Sequence, residues 1–356
     1  MTALVTGAGG LVGSAATRML LRAGYEVFGI ENDMRSYFFG PEGSTATTLQ
    51  RLLEDYPTLL RVHKDDIRSS DHVEAVVERA GDLELVIHTA AQPSHDWAAR
   101  EPLTDFGVNA VGTLNLLEAV RKHAPEASFC HISTSKVYGD TPNRLPLEKQ
   151  ELRLDLPPEH PFYDGIDTSM SIDQSLHSLF GVSKAAGDLL VQEYGRYFDM
   201  NTICLRPGCV TGAAHAGVEL HGFLAYLMKC AVTGREYTVY GYQGKQVRCN
   251  IEASDLVSAC LAYHGDPQPG MVFNIGGGRL SQCSMLEAID WCEEISGASV
   301  NWRYEDRARI GDHRWWISNN NPFQQAFPTW SPTYNVPAML AEIYDENAEL
   351  WQSQPS

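Results

Sequence analysis

Near the start of the chain, Thr6-Gly7-Ala8-Gly9-Gly10-Leu11-Val12-Gly13 follows the short apolar run Ala3-Leu4-Val5. A helical-looking segment, Ser14 to Arg22, comes next, and then a second apolar run, Glu26 to Ile30, that ends on Glu31. Strand, glycine-rich turn, helix, strand and acid in that order can hold a dinucleotide. Gly7 permits the tight turn, Gly10 lets backbone approach a pyrophosphate, and Gly13 lets helix and strand pack closely. Leu11 and Val12 open the helix, whose N-terminus offers free N–H groups and partial positive charge to phosphates. Glu31 would accept hydrogen bonds from ribose hydroxyls, and its charge would repel a 2′-phosphate. The cofactor implied is therefore NAD, with Asn32 and Arg35 just beyond the acid as further contacts.

The elements that position these residues follow from the alternation behind them. Apolar runs at Leu59 to His63, Leu85 to His88, Ser128 to Ser133 and Thr202 to Leu205 read as strands. Asp71 to Arg79, Val108 to Lys122 and Ser183 to Tyr197 carry helical periodicity. This alternation predicts an α/β fold of Rossmann type, a doubly wound parallel sheet with helices on both faces. Ligands bind such sheets outside the carboxyl ends of the strands. The residues to inspect are thus Asp66-Ile67-Arg68, Ala90-Ala91-Gln92, Thr134-Ser135-Lys136 and Arg206-Pro207-Gly208-Cys209. Past Gly212 the alternation loosens, with short strands near Tyr237 to Tyr240, Val247 to Ile251 and Val272 to Ile275. Residues 1–212 are read as the cofactor domain, with an irregular insertion at 145–178. Residues 213–356 are read as mainly a smaller substrate lobe.

Composition narrows the functional classes. The chain has 356 residues, 44% apolar and 20% charged, with a net charge of −18. That balance argues against a nucleic-acid or membrane surface, and no apolar run is long enough to span a bilayer. The fingerprint's position at the N-terminus leads us to expect no signal peptide. Eight cysteines are scattered without a C-x-x-C pair, which points to reduced thiols in a cytoplasmic protein and to no metal site.

At several of these positions the chain resembles the extended short-chain dehydrogenase/reductases of the NAD-dependent epimerase/dehydratase kind. The matches are Thr6 to Gly13, Asp66-Ile67-Arg68, His88 to Gln92, Asn109, Thr134 with Val137-Tyr138-Gly139, and Ser183-Lys184. Longer runs are similar to the CDP-paratose (CDP-tyvelose) 2-epimerases: Asn109 to Arg121, Lys136 to Asp140, Gly244 to Arg248, and Asn274 to Gly277. The resemblance implies a redox-neutral cycle on a nucleotide sugar or nucleoside, in which NAD takes hydride from a sugar carbon and returns it. It also implies a homodimer. Thr134 would hydrogen-bond the reacting hydroxyl. Lys184 would grip the nicotinamide ribose and lower the pKa of a neighbouring acid–base group. Gln92, Asn109, Asp66, Ile67, Ala90 and Ala91 would contact cofactor, and Gln92 and Arg206 substrate. Arg248, with Arg309 and Asp312 in Arg309-Ile310-Gly311-Asp312, would hold a substrate phosphate.

The family's catalytic tyrosine is absent. Phe180 stands four residues before Lys184, and a phenyl ring carries no proton. Three readings are open: an inactivating substitution, a natural clade that uses another base, or a protein that binds NAD without catalysis. Lys184, Lys136, Tyr138 and Tyr163 are the candidate substitutes. In Arg248-Cys249-Asn250-Ile251-Glu252, the 2-epimerases carry an aspartate and a histidine where Cys249 and Glu252 stand here. Cys249 is then either a small buried side chain or a proton carrier of lowered pKa. Ser135-Lys136 replaces the Asp-Glu pair that follows the threonine in 4,6-dehydratases. An epimerase is expected first. An unusual dehydratase using Cys249 and Glu252 comes second, and a non-catalytic NAD-binding regulator third.

Overall fold

In the computed structural model, residues 1–215, 222–308 and 311–353 are described. Seven strands form the large sheet: β1 (Thr2–Thr6), β2 (Glu26–Ile30), β3 (Leu60–His63), β4 (Leu83–His88), β5 (Ser128–Ile132), β6 (Thr202–Pro207) and β7 (Met271–Ile275). Their order is β7-β6-β5-β4-β1-β2-β3, and every pair is parallel. This is the Rossmann-type α/β sheet expected from the alternation. Strands buried on both faces need near-continuous apolar runs, and the centre of β1, Ala3-Leu4-Val5, supplies one. Ala3 and Val5 enter one core cluster with Leu85 and Ile87, while Leu4 enters the other with Val86 and Phe129.

Strand order reverses between β1 and β4, and the crevice there is where a doubly wound sheet takes ligand. Three helices border it: α1 (Leu11–Arg22), α2 (Gly112–His123) and α3 (Ser178–Phe198). A π-helical turn, Gly107–Val111, precedes α2 and carries Asn109. Helix α3 begins five residues before the periodicity suggests. Leu179 and Val182 in its first turns are exposed, so apolar residues on the outer face hide the pattern there.

The strand near Val272 was read as part of the smaller lobe. It is instead β7 of the large sheet, hydrogen-bonded to β6, and helix Ala253–Gly265 before it contributes Leu256, Val257 and Tyr263 to the first core cluster. The remaining C-terminal chain builds its own core, in which helices Phe223–Thr233, Met285–Ser296 and Val336–Ser353 pack together. A small sheet around Val247–Glu252 pairs Cys209–Thr211, Gln282–Ser284 and Trp315–Trp316, and so ties this lobe to the end of β6.

Candidate active site

The glycine-rich turn shows directly why it lacks side chains. A Cβ on Gly13 would fall 1.9 Å from Gly7 O, so α1 could not lie against the turn. A Cβ on Gly10 would meet only Gly7 O, at 3.3 Å, and nothing else within 4 Å. The space in front of Gly10 opens into a cavity of about 490 Å³. Glu31 is fixed at its rim: Oε2 accepts from Gly9 N at 2.9 Å and Oε1 from Asp33 N at 2.8 Å. A cradle without side chains, a helix N-terminus and a held carboxylate together fit an adenosine dinucleotide.

Beneath the cradle, a chain of buried hydrogen bonds locks the switch point. Thr6 Oγ1 accepts from Thr89 N at 3.2 Å and Ala90 N at 3.1 Å. Its hydroxyl proton is therefore left for His88 Nδ1, 2.7 Å away. His88 Nε2 then donates to Thr113 Oγ1 at 2.9 Å, and Thr113 donates to Asn109 O at 2.8 Å. Burial, helped by the Lys184 charge, pushes His88 down to about 3, so it stays neutral.

The same cavity runs on past the ends of β5 and β6. Thr134 lines it just beyond β5 and accepts from Lys136 N at 3.2 Å, which holds the hydroxyl in place. Lys184 enters from α3, buried, and donates to Ile132 O at 2.8 Å. Burial brings its pKa down to about 8, against the opposing pull of Asp188 one turn further along the helix. Phe180 lines the wall one turn earlier, with its ring against the His95 ring at 4.8 Å. On the far wall Arg248 pairs with Asp312 at 2.7 Å, and Lys136 Nζ donates to Gly311 O at 2.9 Å, 3.8 Å from Asp312.

The cavity thus brings together Gly7, Gly10, Leu11, Val12 and Glu31 with Asn32, Arg35, Asp66, Ile67, Ala90 and Ala91. From the reaction side it adds Thr134, Lys136, Lys184, Arg248, Cys249 and Asp312. Arg309 lies outside the described residues.

Other expected residues stand behind the wall. Gln92 N donates to Asn109 Oδ1 at 2.9 Å, and both side-chain amides bond Asp105, so this pair straps the loop after β4 to α3 through Ser183. Tyr138 is fully buried; its hydroxyl accepts from Arg206 at 2.9 Å and bonds Asn274 at 2.8 Å, and burial raises its pKa. Arg206 is spent in a two-pronged pair with Asp188, at 2.9 and 2.6 Å, so no prong points at the cavity. Tyr163 lies under the Arg279 guanidinium, 3.9 Å from it, away from the cavity lining. Glu252 accepts from Ser254 N as the cap of helix Ala253–Gly265. Cys249 does line the cavity, yet it is 1% exposed and burial raises its thiol pKa. A buried, protonated thiol is a packing group, the opposite of an activated one.

Two residues were missed from sequence. Asp188 accepts from Arg206, Gln192 and, at 2.5 Å, Ser133, and so anchors the segment that carries Thr134. Its spacing of four from Lys184 on a helix was a usable signal. His95 gave none, since its neighbours Phe180 and Gly311 are remote in sequence. Among the described residues, no group of three or more His, Cys, Asp or Glu could hold a metal ion. No helix among them is long and apolar enough to cross a membrane.

The cavity thus sets Thr134 and Lys184 across from the Arg248–Asp312 pair and Lys136. The profile of the NAD dependent epimerase/dehydratase family matches residues 3–276. CDP-paratose 2-epimerase of Salmonella typhi is 28% identical over 98% of this chain and 100% of its own length. A dTDP-glucose 4,6-dehydratase of Escherichia coli is also 28% identical, over 78% of this chain and 72% of its own. Among solved structures, a tyrosine-to-phenylalanine mutant of UDP-glucuronic acid 4-epimerase from Bacillus cereus, in complex with UDP-4-deoxy-4-fluoro-glucuronic acid and NAD, superposes with a TM-score of 0.77. It is 26% identical, with 98% of this chain and 100% of that one covered. By its sheet, its dinucleotide cradle and the extent of the family match, the chain belongs to the NAD-dependent epimerase/dehydratase family.

Proposed function

We propose that the chain is an epimerase of a nucleotide-linked sugar, of the CDP-paratose 2-epimerase type. The observation that carries this reading is the convergence of Thr134 and Lys184 in one cavity with Ser135-Lys136 in place of a carboxylate pair. NAD, when bound, supplies a hydride acceptor at a sugar carbon and the donor for its return. Thr134 would orient the reacting hydroxyl through its own O–H. Lys184 would hold the ribose next to the reacting carbon and stabilise developing alkoxide by its charge. Arg248 and Lys136 would take the substrate's phosphates, with Asp312 holding both cations in place until they do. Residues 1–212, with helix Ala253–Gly265 and β7, would then serve the cofactor, and the rest of the chain from 213 on mainly the substrate.

Dehydration needs an acid to expel a hydroxyl. The groups considered for it, Cys249 and Glu252, are a buried thiol and a helix cap, which leaves the unusual dehydratase as the weaker reading. Phe180 favours the third, an NAD-binding regulator without turnover. We also infer a homodimer, since Leu179, Val182 and Leu189 on α3 and Leu103 and Val111 ahead of α2 are exposed apolar residues, and a cytoplasmic location, which the eight free cysteines support. Extraction of the purified protein should yield NAD and not NADP. Incubation with CDP-, UDP- and dTDP-linked hexoses should yield an epimer by chromatography and NMR. A deoxy-keto product would transfer the assignment to the dehydratase. Hexoses left unchanged by both this chain and its Phe180→Tyr variant would transfer it to the regulator.

A further inference from the structure

We propose that His313 reads a hydroxyl of the substrate, one close to its phosphates, through a ring nitrogen that the fold leaves as a bare acceptor. The inference rests on the reading above that the substrate is a nucleotide-linked sugar. His313 directly follows Asp312 and lines the same cavity. Its Nε2 is 2.9 Å from Gly139 O. A carbonyl oxygen only accepts, so the ring proton sits on Nε2 and Nδ1 carries the lone pair. Burial, with the charges of Lys136 and Arg248, holds His313 well below its usual pKa. The ring therefore stays neutral and keeps that lone pair.

The ring is also held in place. It stacks on Trp316 at 5.4 Å and 28°, and Trp316 stacks in turn on Tyr138 at 5.4 Å and 30°. The Trp316 indole donates to Ser318 Oγ at 3.1 Å. Because His313 is 1% exposed, very little of the ring is open. Nδ1 has no hydrogen-bond partner among the described residues. The nitrogens of His131 also lack partners, but they are sealed in the interior, and Nδ1 of His313 is not. The open edge of the ring is therefore Nδ1, and a donor that enters the cavity can reach it.

The surroundings identify that donor. Lys136 and Arg248 lie close enough to act on the ring charge, and in the reading above they take the phosphates. A phosphate oxygen brings no proton at neutral pH and would be repelled by the lone pair. The donors nearest the phosphates of a nucleotide-linked sugar are the hydroxyls of its ribose and of its hexose. Neighbouring acceptors do not compete for them. Gln246 Oε1 and Asn250 Oδ1 lack partners but are sealed within the wall, and Asp312 is paired with Arg248.

The test compares the natural chain with two variants that separate the ring nitrogens. His313→Gln keeps an N–H that can reach Gly139 O and places no acceptor where Nδ1 stands. His313→Asn can put its side-chain oxygen at the Nδ1 position and gives up the Nε2 bond. Circular dichroism and extracted dinucleotide check that each is folded and loaded. Calorimetry measures binding of CDP, UDP and dTDP and of their glucose conjugates, and nitrogen NMR of labelled histidine follows the natural chain. The His313 proton should be on Nε2, and the Nδ1 signal should move upfield on binding, as it does when a lone pair accepts a hydrogen bond. Movement with CDP or UDP alone assigns the ribose hydroxyl, and movement that needs the conjugate assigns the hexose. His313→Gln should bind that ligand about tenfold more weakly, the scale of one hydrogen bond, and His313→Asn should lose less. The reverse order would make Nε2 and a structural role responsible, and would overturn the proposal. A proton on Nδ1, or an Nδ1 signal that no bound ligand moves, would overturn it without reference to any variant. Binding of no nucleotide and no conjugate by the natural chain would sink the nucleotide-sugar reading and this inference with it.

Discussion

Two arginines of the same sequence appearance end up in opposite circumstances. Arg206, at the end of β6, is 5% exposed and takes both oxygens of Asp188 behind the cavity wall. Arg248, at the start of the small sheet, pairs with Asp312 on the wall itself, and both line the cavity. The first pair is closed. Its remaining capacity goes to Tyr138, and its carboxylate anchors Ser133. The second pair shares its aspartate with Lys136 and faces open space, so an incoming phosphate could exchange with the carboxylate. Burial and direction, not residue type, separate a structural ion pair from a binding one. Lys184 marks the border, since it faces the cavity one turn before Asp188 on the same helix.

The closed pair should fail first. Arg206→Met leaves the Asp188 carboxylate buried without its cation, a change of a kind that costs about 3–5 kcal/mol. Urea denaturation should show that loss. A loss below about 1 kcal/mol would mean that Asp188 finds water or another partner and that the pair is not closed.

Next come the border residues. Lys184→Ala and Thr134→Val should each lower turnover by ~100-fold or more, the usual scale for groups that manage a proton, with folding retained. Because the ammonium is the useful form and its pKa is brought down to about 8, turnover should fall as pH rises through that value. A rate that stays level across that window would remove the ammonium from the mechanism.

The open pair should show a binding effect. Arg248→Ala should raise KM for a nucleotide sugar by about tenfold or more, since a hydrogen bond to a charged group is worth about 1.5–3 kcal/mol, while kcat changes little. A drop in kcat at constant KM would place Arg248 in the chemistry instead. Smallest of all, Tyr138→Phe should cost about 1 kcal/mol of stability for the hydrogen bonds lost and leave turnover unchanged. A large fall in turnover would return Tyr138 to the list of bases.

Much of the fold was readable because its signals are local. The run from Thr6 to Gly13 is contiguous, and two of its glycines, Gly10 and Gly13, answer contacts with Gly7 inside the same turn and helix. The sheet could be drawn from apolar runs, although β7 was assigned to the wrong lobe because a long excursion separates it from β6. The site was readable only in part. Residues after the strands were correctly suspected, but side-chain direction is not written in residue type, so Tyr138, Arg206 and Glu252 looked equivalent to Thr134 and Arg248. Glu252 in front of Ala253-Ser254-Asp255 had an alternative meaning as a helix cap, which the structure selects. His95 acquires its surroundings from Phe180, Ser178 and Gly311, and only tertiary contact brings them together.

The most direct measurement is the mass of the product formed in deuterated water from CDP-, UDP- and dTDP-linked hexoses. Redox-neutral epimerisation predicts a product of unchanged mass apart from at most one incorporated deuteron at carbon, with no reduced dinucleotide released. A product lighter by one water, before any deuterium is counted, would contradict the epimerase and establish a dehydratase in its place.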